Sequence, residues 1–222
     1  MHSPIPVIAI GRQFGSGGRE VGQQLARLLG IAYFDKELLA EAARTSGMAA
    51  DFIEAGDERA PGFLSAPWTT SLGLSGTAYF MGGSPLHDDA VYRCQSDAIR
   101  LVASRGPCVI VGRTADHVLR TPAQDTDNTD QQPTYHVLSV FVTTPPEHCA
   151  RRIVERGDCA NIQQALALLQ KRNKQRAAYY NFYTDHRWGD AANYDLCVDT
   201  SLLGIEATAE ILAQVAHRAL GL

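Results

Sequence analysis

An α/β fold built on a parallel sheet is what this sequence predicts, on three observations. Short apolar runs recur at residues 7–10, 31–34, 108–111, 136–142 and 194–198. Segments with helical spacing of apolar residues separate them, the pattern of βαβ units. The first run then breaks into glycines and opens a helix, in the order PVIAIGRQFGSGGRE over residues 6–20. In such sheets, ligands sit at the carboxyl ends of the strands.

The first strand is Val7, Ile8, Ala9 and Ile10. Gly11, Gly15, Gly17 and Gly18 permit a tight turn after it. The helix that follows carries Val21, Leu25, Leu28 and Leu29 as its apolar stripe. Amide N–H groups at such a helix start have no partner within the helix and suit a phosphate. The alternative is a plain strand-to-helix turn. Against the phosphate-loop pattern G-x-x-x-x-G-K-[ST], with Gly17 as the second glycine, the first glycine falls on Arg12. The lysine position then holds Gly18 and the hydroxyl position Arg19. Arg12 and Arg19 are the candidates to replace the missing charge, and Ser16 the missing hydroxyl.

The second strand, Ile31 to Phe34, hands Asp35 and Lys36 to the ligand rim. Asp35 is expected to cap the next helix, with orientation of an arginine as its other reading. Lys36 is a candidate phosphate contact. Residues 61–88 are rich in Gly, Pro, Ser and Thr yet contain aromatics, so they read as an insertion over a site. A helix over about Asp89 to Arg105 ends at Gly106 and Pro107. Cys108 to Val111 is the third strand, and Gly112 and Arg113 emerge at its carboxyl end. Arg113 there is either a ligand contact or a structural ion-pair partner.

Residues 121–134 are polar and lack aromatics apart from the flanking strand, which reads as a surface loop. The fourth strand, His136 to Val142, leads to Thr144, Pro145, Pro146 and Glu147, read as an N-cap with proline in the first turn and a capping-box glutamate. Asn161 and Gln164 start another helix in the same way. Residues 151–187 hold eight Arg or Lys against three acids, with Arg172 and Arg176 four apart on one helix face. Guanidinium groups converging there suit polyphosphate; a solvated basic face is the competing reading. Tyr179, Tyr180, Phe182, Tyr183 and Trp188 read chiefly as packing, with stacking on a base as the alternative. After the fifth strand, Asp199, Thr200 and Ser201 either approach a ligand or, through Ser201, cap a last helix. That helix, about Ile205 to Leu220, packs through Ile205, Ala209, Leu212, Ala216 and Ala219.

Composition narrows the function classes. The 222 residues are 45% hydrophobic and 20% charged, which suits a globular domain with a sizeable core. A net charge of −4 and a pI near 5.9 argue against a dedicated nucleic-acid binder. Five scattered cysteines without a C-x-x-C pair favour reduced thiols in a cytoplasmic setting. No run approaches a membrane span, and the first residues lack a signal-peptide core. Seven histidines show no H-E-x-x-H spacing, and no G-x-S-x-G elbow suggests a hydrolase.

The segments IGRQFGSGGREVGQQLARLLGIAYFDKELL, GPCVIVGRTADHVL and RNKQRAAYYNFYTDHRWGDAANYDLCVDTSLLGIEATAEIL together resemble the cytidylate kinase-like family, a branch of the P-loop nucleoside monophosphate kinases. The long carboxyl-terminal block, with YYNFYT, WGD and NYDLCVDTS in order, is more specific than the glycine loop. The resemblance implies a five-stranded parallel sheet flanked by helices, with an insertion that binds the nucleoside monophosphate and a helical lid. It implies one domain over 1–222: core at about 1–60, 89–150 and 188–222, insertion at 61–88, lid at 151–187.

The activity it implies is transfer of the γ-phosphoryl of ATP to CMP or dCMP with Mg²⁺. By position, Gly15, Ser16, Gly17, Gly18 and Arg19, with Arg12 and Glu20 beside them, would cradle the donor phosphates. Arg113, in a GR similar to the GRD of those kinases, would hold the acceptor, with Lys36 near its phosphate. Arg172 and Arg176 look like the lid arginines that act with Arg19 on the moving phosphoryl. The GSGGRE loop without lysine is that of the kinase-like branch, whereas the true kinases end in GKGT. Asn173 stands where an acid often follows the lid arginine, and Thr114 replaces the aspartate of GRD. The expected partners are small nucleotides, with neither nucleic acid nor membrane, for a monomer or homodimer. The rival expectation is a catalytically silent nucleotide-binding module; a nucleic-acid adaptor using 151–187 stands behind both.

Overall fold

A computed structural model describes residues 3–45, 85–112, 114–121 and 134–222. Residues 61–84 of the expected insertion, 122–133 of the expected polar loop and Arg113 lie outside the described residues. The elements in chain order are β1 (Ile5–Arg12), α1 (Gly18–Leu29), β2 (Ala32–Phe34), α2 (Lys36–Thr45), α3 (Pro85–Ser104), β3 (Cys108–Val111) and α4 (Ala115–Arg120). They continue as β4 (Tyr135–Thr143), α5 (Pro146–Glu155), α6 (Ile162–Thr184), β5 (Leu196–Asp199) and α7 (Thr200–Leu220). The five strands form one parallel sheet in the order β2-β3-β1-β4-β5.

Both faces of the sheet are covered, which is why its strands read as unbroken apolar runs. Ile8 and Ile10 of β1 face α1 and α7, in a core with Val21, Leu25, Ala209, Leu212 and Ala216. Val7 and Ala9 point the other way, toward Ile99 and Val102 of α3 and Val118 of α4. β1 lies between β3 and β4, with Ile8 opposite Val109 and Leu138. Its carboxyl end, and the loop after it, therefore open at the middle of the sheet's ligand edge.

Several local expectations are corrected. Leu28 is half-exposed and not part of the α1 stripe, because the buried face is turned toward Gly18, Val21, Gly22, Leu25 and Ala26. Two glycines on that face let the helix sit close to the sheet. Thr144 does not cap α5: Pro145 is at the cap position, and the Thr144 hydroxyl instead lies 2.6 Å from that of Thr200. α7 begins at Thr200 and is capped by the Asp199 carboxylate, which accepts from the Ser201 amide at 2.7 Å, so Ser201 is the capped residue. The expected start at Ile205 is the point where the helix resumes after Gly204, whose φ is 77°. Ala219 is exposed and Leu220 buried. α3 begins four residues earlier than expected, at Pro85 rather than Asp89.

Two capping expectations hold. Asp35 caps α2, accepting from the Leu38 amide at 3.2 Å. Asn161 caps α6, accepting from the Gln164 amide at 2.9 Å. All five cysteines are unpaired. No helix among the described residues is long and apolar enough to cross a membrane.

Candidate functional site

Between the end of β1 and the start of α1, the chain turns through Gln13, Phe14, Gly15, Ser16 and Gly17. Gly15 and Gly17 have φ of 75° and 80°, the left-handed region that a side chain resists. A Cβ on Gly15 would also stand 2.9 Å from the Cys149 carbonyl oxygen. No side chain caps α1, since Gly17 holds the cap position. The amides of Gly18, Arg19 and Glu20 thus begin the helix with no carbonyl of that helix to accept them. The helix dipole adds partial positive charge at the same point.

Ser16 is fully buried, and its hydroxyl donates back to the Gln13 carbonyl at 3.0 Å. Its own carbonyl accepts from Arg152 Nη1 at 2.9 Å and from Thr200 Oγ1 at 2.7 Å. Arg152 also donates to Thr200 Oγ1 at 2.7 Å and to the Thr200 carbonyl at 3.3 Å. The arginine on α5 therefore clamps the loop to the start of α7. On the other flank, Gln13 Oε1 accepts from Thr143 Oγ1 at 2.9 Å and from the Thr144 amide at 3.2 Å, tying the loop to β4.

Helix α6 reaches the loop directly. Asn173 Oδ1 accepts from the Phe14 amide at 2.8 Å, and Arg176 Nη1 donates to the Arg12 carbonyl at 2.9 Å. The Phe14 ring lies 5.4 Å from the Arg156 guanidinium carbon and 5.7 Å from that of Arg176. Phe14 packs as well on the small core between α5 and α6, formed by Cys149, Ala150, Ile153, Ala165 and Leu169. A cleft of about 310 Å³ opens beside the loop, lined by Gly15, Gly17, Glu20, Arg152, Glu155, Arg156 and Ile205.

The expected site residues are placed unevenly. Arg12, Gly15, Ser16, Gly17, Gly18, Arg19, Glu20 and Arg176 meet around the loop. Arg19 leans toward β2, with Nη2 2.7 Å from Asp35 Oδ2 and 3.4 Å from Glu37 Oε2. Glu20 lines the cleft, with Oε1 3.8 Å from Arg156 Nη1. Arg156 is paired more closely with Asp158, at 2.6 Å. Arg172 is exposed, one turn from Arg176, without a hydrogen bond or ion pair among the described residues. Lys36 opens α2 at the carboxyl end of β2.

Burial alone would raise the Asp35 carboxyl, but the Leu38 amide and the Arg19 charge hold it below its usual range. On the opposite face, Tyr180 Oη donates to Asp116 Oδ2 at 2.8 Å. Burial raises the Asp116 carboxyl, and that hydrogen bond only partly offsets it. Of the aromatic cluster, Tyr180 and Trp188 pack with Phe141 and Tyr194. Tyr183 stacks on Tyr92 with ring centres 4.0 Å apart, and Phe182 is exposed. Packing accounts for the cluster apart from Phe182.

Sequence reasoning missed the roles of Arg152, Thr200, Gln13, Phe14 and Asn173 in shaping the loop. Arg152 was visible only as one member of a basic segment. Thr200 stood among three residues at a strand end, with nothing to mark its partner.

Three comparisons bear on this arrangement. The family described as cytidylate kinase-like matches residues 7–202. No curated protein matches the chain. Among solved structures, an uncharacterized protein from Eubacterium ventriosum is 25% identical with a TM-score of 0.64, covering 95% of this chain and 97% of that one. TT1252 from Thermus thermophilus is 18% identical with a TM-score of 0.51, over 96% of this chain and 99% of that one, a likeness of fold. A shikimate kinase from Acinetobacter baumannii in complex with shikimate is 16% identical with a TM-score of 0.47, over 96% and 93%.

Proposed function

This chain belongs to the cytidylate kinase-like family, and from that membership we propose that it transfers the γ-phosphoryl of ATP to a nucleoside monophosphate, with CMP or dCMP the leading acceptors. One observation carries the reading: a buried strand ends in a left-handed glycine turn whose helix-start amides open beside an arginine-lined cleft. Such amides donate hydrogen bonds to phosphate oxygens without any charged side chain at the lysine position.

In phosphoryl transfer, positioning and charge stabilisation matter more than proton abstraction. Gly15, Ser16, Gly17 and Gly18 shape the donor cradle, with the Glu20 amide completing it. Arg176, latched to the Arg12 carbonyl, brings the lid over the loop. Arg172, one turn away and exposed, is the lid cation that reaches toward the moving phosphoryl. Arg113 and Lys36 belong to the acceptor side. Arg19, anchored on Asp35, orders the first turn of α1.

A magnesium ion would supply charge neutralisation on the transferred group. The described residues build no carboxylate or histidine cluster for it, and the Ser16 hydroxyl is turned inward onto Gln13. A protein-built metal site does not fit here, so the ion would arrive on the triphosphate with its own water.

Gly18 in the lysine position favours a second reading, a module that binds nucleotide without turnover. Incubation of the full chain with ATP, Mg²⁺ and a panel of nucleoside monophosphates, read as diphosphate formed, separates the two. Diphosphate from a cytidylate acceptor supports the kinase. Tight ATP binding without product from any acceptor supports the silent module. Absence of both binding and product refutes both.

A further inference from the structure

We propose that Arg12 is the phosphate-binding cation that replaces the loop lysine, entering from the strand rather than from the helix. This rests on the triphosphate-binding reading above. Side chains alternate along a strand, so Ile8, Ile10 and Arg12 leave β1 on one face. Ile8 and Ile10 on that face pack under α1. Arg12, two residues on, therefore leaves toward the amino-terminal end of the same helix.

The contact at Gly18 makes the exchange specific. A Cβ at residue 18 would lie 2.7 Å from Arg12 Cβ, 3.1 Å from Arg12 Cδ and 3.2 Å from Val142 Cβ. The Arg12 stem thus runs through the space from which a lysine at 18 would depart. A side chain at 18 would collide with the Cβ of residue 12 and crowd the Arg12 stem, so Gly18 leaves that space to Arg12. The backbone of Arg12 is fixed on both sides, by its register opposite Val142 and by Arg176 Nη1 on its carbonyl. Its stem therefore starts from a rigid point.

Arg19, the other candidate, is directed elsewhere. Its guanidinium lies 2.7 Å from the buried Asp35 carboxylate, at the edge of the sheet toward β2. A guanidinium from position 12 offers two parallel N–H donors to phosphate oxygens, where lysine offers a point charge.

The test compares triphosphate affinity and turnover of the full chain with those of four variants. Arg12→Met keeps the stem and removes the charge. It is expected to weaken ATP binding by about tenfold or more and to lower turnover by about a hundredfold in a chain that still folds. Arg12→Met is expected to lose about tenfold more ATP affinity than Arg19→Met. The double variant Arg12→Gly with Gly18→Lys removes the Arg12 Cβ as well as the stem and returns the charge from the helix; it is expected to regain about tenfold over Arg12→Gly alone.

Loss on Arg19→Met with none on Arg12→Met overturns the assignment. So does a folded double variant no better than Arg12→Gly, when Arg12→Met is also silent. A parent chain that binds no triphosphate refutes the function itself, an outcome distinct from either.

Discussion

Arg19 Nη2 stands 2.7 Å from Asp35 Oδ2, joining the first turn of α1 to the carboxyl end of β2. The carboxylate is almost wholly buried and the arginine half-exposed. An arginine in a glycine-rich loop invites a phosphate role, and this one also pairs with the protein's own carboxylates. It fixes the helix start against an edge strand that contributes only three residues to the sheet.

A pH-dependent stability follows from that pair. Burial pushes the Asp35 carboxyl up, while the Leu38 amide and the Arg19 guanidinium pull it below its usual range, and the pull prevails. A carboxyl lowered in the folded state stabilises the fold above its unfolded value of about 4, and that contribution is lost as pH falls through the folded value. Arg19→Met should therefore cost about 1 kcal/mol at pH 7, the upper end for a half-exposed pair. Urea unfolding at stepped pH should show the difference from the parent closing below about pH 4. A difference that is constant with pH would mean the pair is not its source.

The packing of α1 predicts a steric defect. A Cβ at Gly22 would sit 2.5 Å from Val111 Cγ2 and 3.3 Å from the Tyr33 ring. Gly22→Ala should destabilise by about 1–3 kcal/mol, although alanine is the better helix former by about 1 kcal/mol. Adding Val111→Ala should recover part of the loss, because it clears the contact. Denaturant midpoints for the parent and the two variants read this directly, and a stabilised single variant would refute the close approach.

Tyr180 and Asp116 give the opposite pH sign. Burial raises the Asp116 carboxyl, so its ionisation in the folded state is penalised, and stability falls as pH rises from about 4 through the raised value. Asp116→Asn keeps an acceptor for Tyr180 and cannot ionise. It should gain on the parent as pH rises through that window and show no gain below it. Tyr180→Phe, which leaves a buried carboxyl without its 2.8 Å donor, should cost about 1–3 kcal/mol.

The sheet and the loop could be read from the sequence because their signals are local. A parallel strand buried on both faces is a short apolar run, and β3 shows four consecutive buried residues, Cys108 to Val111. Asn161 and Gln164 announce a helix start three residues apart. The clamp on the loop has no such signal. Arg152 donates to a backbone carbonyl 136 residues away, and every residue type carries a carbonyl. The same holds for Asn173, whose partner is the Phe14 amide. Leu28 misled because helical spacing alone does not say which edge of a broad apolar face turns inward. Gly18 and Gly22, which settle it, carry no side chain to be counted.

Asn173 therefore supplies the last prediction. Its Oδ1 holds the Phe14 amide at 2.8 Å while Arg176 holds the Arg12 carbonyl, so α6 grips the loop on either side of Gln13. Asn173→Ala removes one grip and leaves a half-buried amide without that acceptor, at a cost of about 1 kcal/mol. Hydrogen exchange at the Phe14 amide should accelerate by about fivefold, while exchange in β1 stays as in the parent. Asn173→Asp keeps the acceptor and should restore the protection. It also sets a carboxylate beside the proposed triphosphate site, so nucleotide affinity should fall by more than in Asn173→Ala. Protection restored together with affinity undiminished would place the phosphates elsewhere than at this loop.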